Sequence, residues 1–528
     1  MAKKSLFILL IILLIASFFR LWKLNKIPPG LYPDVAINGN EAFFSLKNRD
    51  FKVFYPENYG REGLWMWLIA FSFSICGVSI WSIRIVSAVF GILTVFGLYL
   101  LAKELFSSLE FKVYGLDSEG VALLSSFFLA TSFWHTNFSR IGFRAILLPF
   151  VLVFYFYFLI RGFKTKKFFN FIISGIFFGL GFYTYTSFRM AVLILPFIFV
   201  PFWFIFKKEN CQKKYLLLVA CFLIATFFVA LPIGIYFLKN PQDFISRATP
   251  ITIFNAENPL KEFFKSLILH LAMFNFYGDP NWRHNFSGKP ELFWPVGILF
   301  LIGIFISIKE SISSIKNKNL SLATYNLLLV SWFFVMLLPG TLTREGIPHS
   351  LRVVGVIPVV FIFAGLGGVK VYQFLENNVK SKKLLFSACI LFLFAIFLFE
   401  FNKYFFVWAK REEVKSEFTS EYLEMGNYLN SLPEDFEKYV IANRSGVPVS
   451  WANGIPMSAQ SIMFLEISKY KEIKSNYLLP DNLNQIKIEK GGVILPIIFD
   501  ENIFEYLKEK FPKGQIKKIN NFFSYEIR

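Results

Sequence analysis

The chain contains a series of apolar runs, each about as long as a lipid bilayer is thick, and this feature constrains its fold most. Runs of about 18 or more largely apolar residues recur from the N-terminus to residue 402, and a helix of that length crosses the hydrocarbon core. Hydrophobic residues make up 55% of the 528 residues, which is more than a soluble domain needs. The sequence therefore predicts an all-α polytopic membrane protein.

We predict about eleven transmembrane helices from these runs. They are placed near residues 5–22, 81–102, 119–135, 143–161, 168–186, 190–206, 215–237, 292–308, 321–339, 352–372 and 384–402. Residues 1–24 resemble a signal peptide, but Arg20 and Lys23 follow the apolar core in place of a cleavage site, which predicts an uncleaved first helix. Residues 63–77 are apolar but short, so we predict an interfacial helix there, in the first outer loop.

The distribution of positive charge supports this arrangement. The formal net charge is +19, and four of the five loops on the side of the N-terminus carry three or four Lys or Arg residues each. Cytoplasmic loops collect such residues, so the charge indicates topology and no nucleic-acid partner. The prediction is a multi-pass protein of the cytoplasmic membrane with a cytoplasmic N-terminus and an extracytoplasmic C-terminus, in contact with membrane lipids.

The tail differs in composition from the rest of the chain. Residues 1–402 form the expected membrane domain, and residues 403–528 contain no membrane-length run, which predicts a small extracytoplasmic α/β domain. Its expected elements are helices at 412–432 and 501–511 and buried strands at 439–442 and 493–497. The four cysteines lie in or beside apolar runs without metal-ligand spacing, so no disulfide framework is expected.

Two carboxylates in the first outer loop are candidates for chemistry. Asp34 and Glu41 are seven residues apart, so a helix that starts after Pro33 presents both on one face. A carboxylate near an apolar bundle is costly unless it meets a cation, a metal or a substrate proton. Asp34 can also be a helix N-cap, as Asp residues often are, and the sequence leaves both roles open.

Arginines and a polar loop provide candidate ligands for a phosphate or a sugar. Arg140 and Arg144 are four residues apart, which suits a bidentate phosphate clamp on one helical face, although arginines at a membrane edge also extend to lipid headgroups. Residues 277–285 combine acid, amide, indole, guanidinium and imidazole groups in a turn bounded by Gly and Pro. Residues 344–352 add further arginines, and together these groups predict an electrostatic pocket for an anionic lipid.

Several of these stretches resemble one known family. The matching residues are 28–32, Asp34, 38–39, 60–62, 138–144 and 278–285, within residues 20 to about 370. Here the chain resembles glycosyltransferase family 39, which includes protein O-mannosyltransferases and lipid A aminoarabinose transferases and has the multi-spanning GT-C architecture. The C-terminal tail lies outside the resemblance.

The resemblance implies an enzyme that moves a sugar from a polyprenyl-phosphate donor to an acceptor on the outer face, with inversion at the anomeric carbon. Asp34 matches the family's catalytic carboxylate, but Val35 stands where many members have Glu, so Glu41 is a candidate for that second negative charge. Some relatives bind a divalent metal, and Glu62 and His284 are possible counterparts of their ligands. The acceptor, whether protein, lipid or glycan, stays open, and so does the metal. The expected ligands of the donor phosphate and sugar are Arg61, Arg140, Arg144, Asp279, Asn281, Trp282, Arg283, His349 and Arg352.

Two other classes of protein compete with this interpretation. A transporter or flippase of a lipid-linked saccharide typically has repeated halves, broken helices and charges at mid-membrane. The predicted spans are nearly free of charge except at their ends, and the sequence shows no clear repeat. A membrane anchor with a functional tail would leave the loop motifs unexplained. An enzyme that acts at the membrane interface fits the sequence best.

The predicted topology can be tested with variants that contain a single cysteine. We expect a membrane-impermeant maleimide to label Ser445→Cys on intact cells and to spare a variant that keeps only Cys211, because residue 211 lies in a predicted cytoplasmic loop. Labelling of Cys211 from outside would overturn the eleven-span topology.

Overall fold

The structure is a computed structural model that describes residues 3–107, 117–247, 249–317 and 319–527. It divides into two compact units that interleave along the chain. The first unit consists of Met1–Leu24 and Ser87–Trp408, and the second consists of Asn25–Val86 and Ala409–Arg528. The sequence placed a domain boundary at 402/403, whereas the contacts separate the tail at 408/409 and group residues 25–86 with it.

Helices dominate the described residues, and a small amount of sheet is present. In chain order the helices are α1 (Lys3–Leu21), α2 (Pro33–Asn48), α3 (Leu64–Cys76), α4 (Ile80–Phe106), α5 (Ser118–Thr131), α6 (Phe133–Phe138), α7 (Leu147–Thr165), α8 (Phe168–Gly181), α9 (Leu195–Lys208), α10 (Gln212–Lys239), α11 (Pro241–Ile245), α12 (Pro259–Ala272), α13 (Trp294–Lys316), α14 (Leu320–Thr341), α15 (Ile357–Asn378), α16 (Lys382–Asn402), α17 (Glu412–Glu417), α18 (Ser420–Ser431), α19 (Gln460–Tyr470) and α20 (Glu501–Lys510). The strands are β1 (Phe54–Tyr55), β2 (Arg61–Glu62), β3 (Glu437–Ile441), β4 (Asn476–Leu478), β5 (Gly492–Pro496), β6 (Gln515–Ile519) and β7 (Phe522–Ile527).

The described chain contains nine helices that are long and apolar enough to cross a membrane. They are α1, α4, α7, α9, α10, α13, α14, α15 and α16, some of them extended by adjoining helical turns. This confirms the polytopic helical class. Two of the eleven expected spans are shorter than predicted: they coincide with helices α5 and α8, each of 14 residues. The apolar segment at 63–77 forms the 13-residue helix α3, as expected for a short helix.

One of these shorter helices ends early because of a capping serine. Ser132 has extended backbone angles, with φ −53° and ψ 130°, and its hydroxyl accepts a hydrogen bond from the His135 N–H. This is the geometry of an N-cap, which starts a new helix and therefore ends the preceding one. The expected single helix at 119–135 is consequently two helices, α5 and α6.

The second unit contains a five-stranded sheet with the order β4-β3-β5-β7-β6. Strand β3 pairs in parallel with β4 and β5, and β7 pairs antiparallel with β5 and β6. The strands expected at 439–442 and 493–497 and the helix expected at 501–511 are confirmed as β3, β5 and α20. The helix expected at 412–432 is interrupted, because Thr419 adopts a left-handed conformation with φ +50° between α17 and α18.

Residues 25–86 are tied to the tail by hydrogen bonds within the second unit. The Leu31 carbonyl accepts hydrogen bonds from the Thr419 hydroxyl at 3.1 Å and the Ser461 hydroxyl at 2.7 Å. Asn40 of α2 donates to the carbonyl of Gln460 at 3.1 Å and to its side chain at 2.9 Å. Gly39 allows α2 to approach α19, since a Cβ at residue 39 would lie 2.6 Å from the Phe464 ring. The tail therefore positions the helix that carries Asp34.

Candidate functional site

Asp34 lies in the first turn of α2, and the structure excludes the capping role for it. Tyr32 is the N-cap residue and Pro33 begins the helix, so Asp34 is the second helical residue and its side chain makes no capping hydrogen bond. Its side chain is partly exposed, and it forms no hydrogen bond or ion pair with any residue that the structure describes. A carboxylate so placed is available to a substrate.

Glu41 lies on the same helix as Asp34, as predicted, but its carboxylate is engaged. The Arg61 guanidinium contacts it at 2.6 Å, and both side chains are buried. Arg61 also donates to the Asn38 side chain at 2.8 Å and to the Glu57 carbonyl at 3.2 Å. Burial raises the pKa of Glu41, and the charge of Arg61 opposes that shift. The pair holds the segment 57–61 against α2.

Glu62, the acid expected near a metal, is also in the second unit. It forms strand β2 together with Arg61, and it pairs with Phe54 of β1 in an antiparallel register. Its side chain is buried, with 1% of its surface exposed. The structure thus places Arg61 and Glu62 in a short buried hairpin.

The helical clamp expected from Arg140 and Arg144 is wrong. Helix α6 ends at Phe138, and Gly142 has φ +82°, so the chain between the two arginines is not helical. Arg140 is fully buried and donates to the carbonyls of Phe19 and Trp22, both at 2.8 Å. These carbonyls belong to the C-terminal end of α1, where a helix leaves its last C=O groups without intrahelical partners. Arg140 therefore caps a helix.

Arg144 has a different environment. It begins a short 3-10 turn and is 7% exposed, with its guanidinium 5.3 Å from the centre of the Tyr185 ring. A guanidinium over an aromatic face is a favourable arrangement that keeps the planar group in a fixed orientation. Arg144 is therefore held in place independently of Arg140.

Asp279 is the centre of a buried hydrogen-bond network in the first unit. Its Oδ2 accepts hydrogen bonds from the Ser350 backbone N–H at 2.8 Å and from the Ser350 hydroxyl at 3.1 Å. The same oxygen lies 3.1 Å from His284 Nδ1 and 3.8 Å from His349 Nδ1. The Asn281 N–H donates to Oδ1 at 2.8 Å. Asp279 thereby joins the loops that precede α13 and α15, as a buried charge requires many partners.

Two carboxyl groups of this network, those of Asp279 and Glu291, differ in protonation state. Burial opposes ionisation of Asp279, but His284 and the Asn281 N–H outweigh burial and lower its pKa to about 2. Burial, reinforced by the charge of Asp279, raises the pKa of Glu291 to about 8. Glu291 accepts hydrogen bonds from the Ser350 hydroxyl at 2.7 Å and the Asp279 N–H at 3.2 Å. At neutral pH one carboxyl group is charged and the other is protonated.

Asp279, His284 and His349 form a cluster that can hold a metal ion. One ligand atom from each residue lies within 4.8 Å of the others. His349 Nδ1 is buried and makes no hydrogen bond among the described residues. Burial and the nearby His284 and Arg352 lower the pKa of His349 well below its usual value, which favours the neutral imidazole that binds metals. One carboxylate and two imidazoles suit a divalent ion such as zinc.

The other expected ligands of the donor are held by contacts within the first unit. Asn281 accepts hydrogen bonds from the Arg283 N–H at 2.9 Å and from Arg283 Nε at 3.3 Å. Trp282 is partly buried, and its carbonyl accepts a hydrogen bond from the Trp408 indole at 3.1 Å. Arg352 donates to the Thr343 hydroxyl at 2.7 Å and to the Glu345 carbonyl at 2.6 Å. The polar loop at 277–285 is thus internally ordered.

Three residues of the network were not identified from the sequence. Glu291 accepts a hydrogen bond from the Asp279 N–H, and Ser350 contacts both Asp279 and Glu291. His270 accepts a hydrogen bond from the His349 N–H at 3.1 Å. Glu291 lies just outside the loop motif, and His270 is on α12, 79 residues before its partner His349. Asp279 and His284 were singled out separately, as a donor ligand and a possible metal ligand in one loop motif, whereas the other partners depend on tertiary contacts.

Comparison with known proteins agrees with this fold. Residues 64–233 match the family model described as dolichyl-phosphate-mannose-protein mannosyltransferase. The crystal structure of ArnT from Cupriavidus metallidurans bound to undecaprenyl phosphate has a TM-score of 0.58 at 11% identity, covering 100% of this chain and 98% of that chain. The apo structure of the same protein has a TM-score of 0.54 at 10% identity, covering 99% and 97%. No curated protein sequence matches the chain.

The family match and the fold identify the protein as a membrane glycosyltransferase with the GT-C architecture. Its resemblance to glycosyltransferase family 39 is confirmed, and the match at 64–233 carries that family's sequence pattern. The protein is an enzyme rather than a transporter or a simple anchor.

The structural role of Arg140 predicts a loss of stability in Arg140→Lys. A lysine carries the charge but cannot bind two carbonyls with a planar fork, so we expect unfolding to become easier by about 1–3 kcal/mol. Thermal unfolding of the detergent-solubilised protein measures the change. Arg344→Lys is the control, since Arg344 is exposed and makes one long contact, at 3.4 Å, with the Asn255 carbonyl. Equal stability of the two variants would contradict the capping role.

The metal cluster predicts that the purified protein retains zinc after incubation with the ion and dialysis. We expect His349→Ala to lose that zinc, because the substitution removes a ligand atom that makes no hydrogen bond. Asp279→Asn should also lose it, and Asp243→Asn should keep it, since Asp243 accepts a hydrogen bond from Tyr236 away from the cluster. Elemental analysis measures the content. Unchanged zinc in His349→Ala would exclude the cluster as the site.

Proposed function

We propose that the protein transfers a sugar from a polyprenyl-phosphate donor to an acceptor hydroxyl on the outer face of the cytoplasmic membrane. Asp34 acts as the general base, and the configuration at the anomeric carbon is inverted. The observation that carries this proposal is the Asp34 carboxylate, which has no partner among the described residues and is held at the start of a well-packed helix.

The proposed reaction needs one base and one stabilised leaving group. Asp34 takes the proton of the acceptor hydroxyl as its oxygen attacks the anomeric carbon from the side opposite the phosphate. The bond between that carbon and the phosphate oxygen breaks, and the electron pair leaves with the lipid phosphate. Asp34 then returns its proton to water, which balances the reaction.

The donor class is supported by two comparisons. The solved structure of ArnT contains undecaprenyl phosphate, and the matching family model is named after dolichyl phosphate mannose. Both are polyprenyl phosphates, whose chain stays in the bilayer while the sugar extends outwards. The N-terminus then lies in the cytoplasm and the C-terminal sheet outside.

Cationic side chains supply the stabilisation that the departing phosphate needs. Arg144 is a candidate because its guanidinium is fixed against Tyr185, and Arg283 and Arg352 are candidates in the polar loops. Arg140 is left out, since its donors serve the carbonyls of α1. A divalent ion held by Asp279, His284 and His349 would add positive charge and polarise a phosphate oxygen.

Glu41 has a positioning role in this proposal. Glu41 lies seven residues beyond Asp34 on α2, which is a rise of about 10 Å along the helix. Glu41 is therefore too distant to share a proton with Asp34. Its ion pair with Arg61 holds α2 in place. Val35 is 1% exposed, so a carboxylate at residue 35 would be buried among apolar side chains. Glu41→Gln should lower stability more than turnover, because it leaves Arg61 buried without its counter-ion.

The decisive experiment compares Asp34→Asn with the wild type. Asn is nearly isosteric but cannot accept the proton, so we expect the variant to fold normally and to lose on the order of 10²–10⁴ in transfer rate. The assay incubates purified protein with the polyprenyl-phosphate lipids and envelope fraction of its own cells and follows loss of the lipid-linked sugar by mass spectrometry.

Asp117→Asn is the matched control for this experiment. Asp117 is a true N-cap, whose side chain accepts a hydrogen bond from the Glu119 N–H at 3.0 Å, and Asn caps as well as Asp. We expect the control to keep full activity. Full turnover by Asp34→Asn would remove Asp34 from the mechanism.

A further inference from the structure

A cavity of about 310 Å³ opens in the second unit, beside the C-terminal half of α2. Its wall includes Phe44 and Asn48 of α2, the loop residue Asp50, Tyr55 of β1 and Trp451 of the tail. Ligand pockets typically start at about 300 Å³, so the cavity suits a compact ligand. Neither the family match nor the proposed mechanism assigns a role to it.

We propose that this cavity binds an uncharged sugar ring of the acceptor. The proposal rests on the function proposed above, because it names the acceptor as a saccharide. It also gives the tail a part in the choice of substrate. Three features of the cavity support this assignment: an aromatic wall, a polar wall and the charge of the lining.

The aromatic wall is formed by Trp451 and Phe44. Their ring centres are 5.1 Å apart and their planes meet at 67°, so the two rings form a corner. The indole N–H of Trp451 is buried and has no hydrogen-bond partner among the described residues. This N–H is not accessible from the cavity, so the contact surface is formed by the rings themselves, which suit the C–H groups of a sugar.

The polar wall offers groups that bind hydroxyls. Asn48 is exposed, and its amide is able both to donate and to accept hydrogen bonds. Asp50 adds a carboxylate that accepts hydrogen bonds. The Tyr55 hydroxyl is 2.6 Å from the Ser45 hydroxyl, which fixes the phenol at the wall. A few placed polar groups beside aromatic rings are the usual composition of a pocket for a small polar ligand.

The charge of the lining argues against the donor phosphate as the occupant. The cavity is lined by two carboxylates, Glu41 and Asp50, and by one cation, Lys52. Lys52 lies 3.8 Å from Asp50, so its charge is partly compensated. Glu41 is paired with Arg61, so the lining has little net charge. A phosphate would lack an uncompensated cation there, whereas an uncharged ring needs none.

The position of the cavity relative to Asp34 fits an acceptor. Glu41 at its wall is seven residues beyond Asp34 on α2, a rise of about 10 Å along the helix. Trp451 packs on Phe44, which is about 15 Å beyond Asp34 along the helix, so an acceptor that continues beyond the bound ring is able to present a hydroxyl to the proposed base. Asp34 and the cavity belong to the same unit and are connected by continuous helix.

Saturation-transfer NMR on the purified full-length protein tests the proposal. The probes are mannose, glucose, galactose and N-acetylglucosamine, with inorganic phosphate as a competitor, and the micelles contain a detergent without a sugar headgroup. We expect the wild type to bind at least one sugar and phosphate not to displace it. Trp451→Ala should weaken that binding on the order of tenfold.

Two further variants separate binding from folding. Asn48→Ala removes an exposed wall group whose side chain makes no hydrogen bond or ion pair with the described residues, so it should weaken binding without changing thermal unfolding. Phe499→Ala is the control, because Phe499 is a 49% exposed aromatic residue of the same unit that does not line the cavity. We expect this control to bind sugar like the wild type.

The outcomes distinguish this proposal from the proposed function. Three results would each overturn the cavity assignment, even if the protein transfers sugar. They are no sugar binding by the wild type, sugar binding by both Trp451→Ala and Asn48→Ala equal to that of the wild type, and displacement of the sugar by phosphate. Sugar binding that requires Trp451, in a protein that transfers no sugar, would support the cavity and reject the transferase mechanism. Asp34→Asn should bind sugar normally, because it leaves the cavity intact.

Discussion

Buried guanidinium groups are the constraint on which much of this structure depends. Arg20, Arg61, Arg84 and Arg140 are among the largest fully buried side chains. A buried charge needs polar partners, so each of these arginines binds nearby carbonyl or carboxylate groups and fixes their positions. In the first unit, Arg20 donates to the carbonyls of Ala130 and Leu129 at the end of α5, while Arg140 donates to carbonyls at the end of α1. Two helix ends are thus capped reciprocally.

The second unit uses the same principle around the candidate base. Arg84 donates to the Gly30 carbonyl at 2.6 Å, just before α2, and Arg61 binds Glu41 within it. Asp34 lies in sequence between Gly30 and Glu41, the two residues bound by these arginines, and has no such partner among the described residues. A reactive carboxylate is useful when its surroundings are rigid and it is itself left available, because a preorganised group needs no rearrangement during the reaction.

The sequence predicted those features that depend on local pattern. The apolar runs and the helix that begins at Pro33 follow from length and periodicity, and so do the tail elements β3, β5 and α20. The paired arginines failed because Gly142 permits a positive φ that ends helical geometry. The attachment of residues 25–86 to the tail, and the partners of Asp279, could not be predicted, since they join residues far apart in sequence. Hydrophobic periodicity does not encode such pairings.

The hydrogen bonds at Leu31 also have a consequence for the timing of synthesis. Its carbonyl is bound by residues 388 and 430 positions later in the chain. The segment that carries Asp34 is therefore synthesised long before its final partners. Contacts of such long sequence separation form late in folding. The helix that carries Asp34 thus reaches its final packing only after residues 419 and 461 have been synthesised, so a chain truncated before them would enter the membrane without full support for that helix.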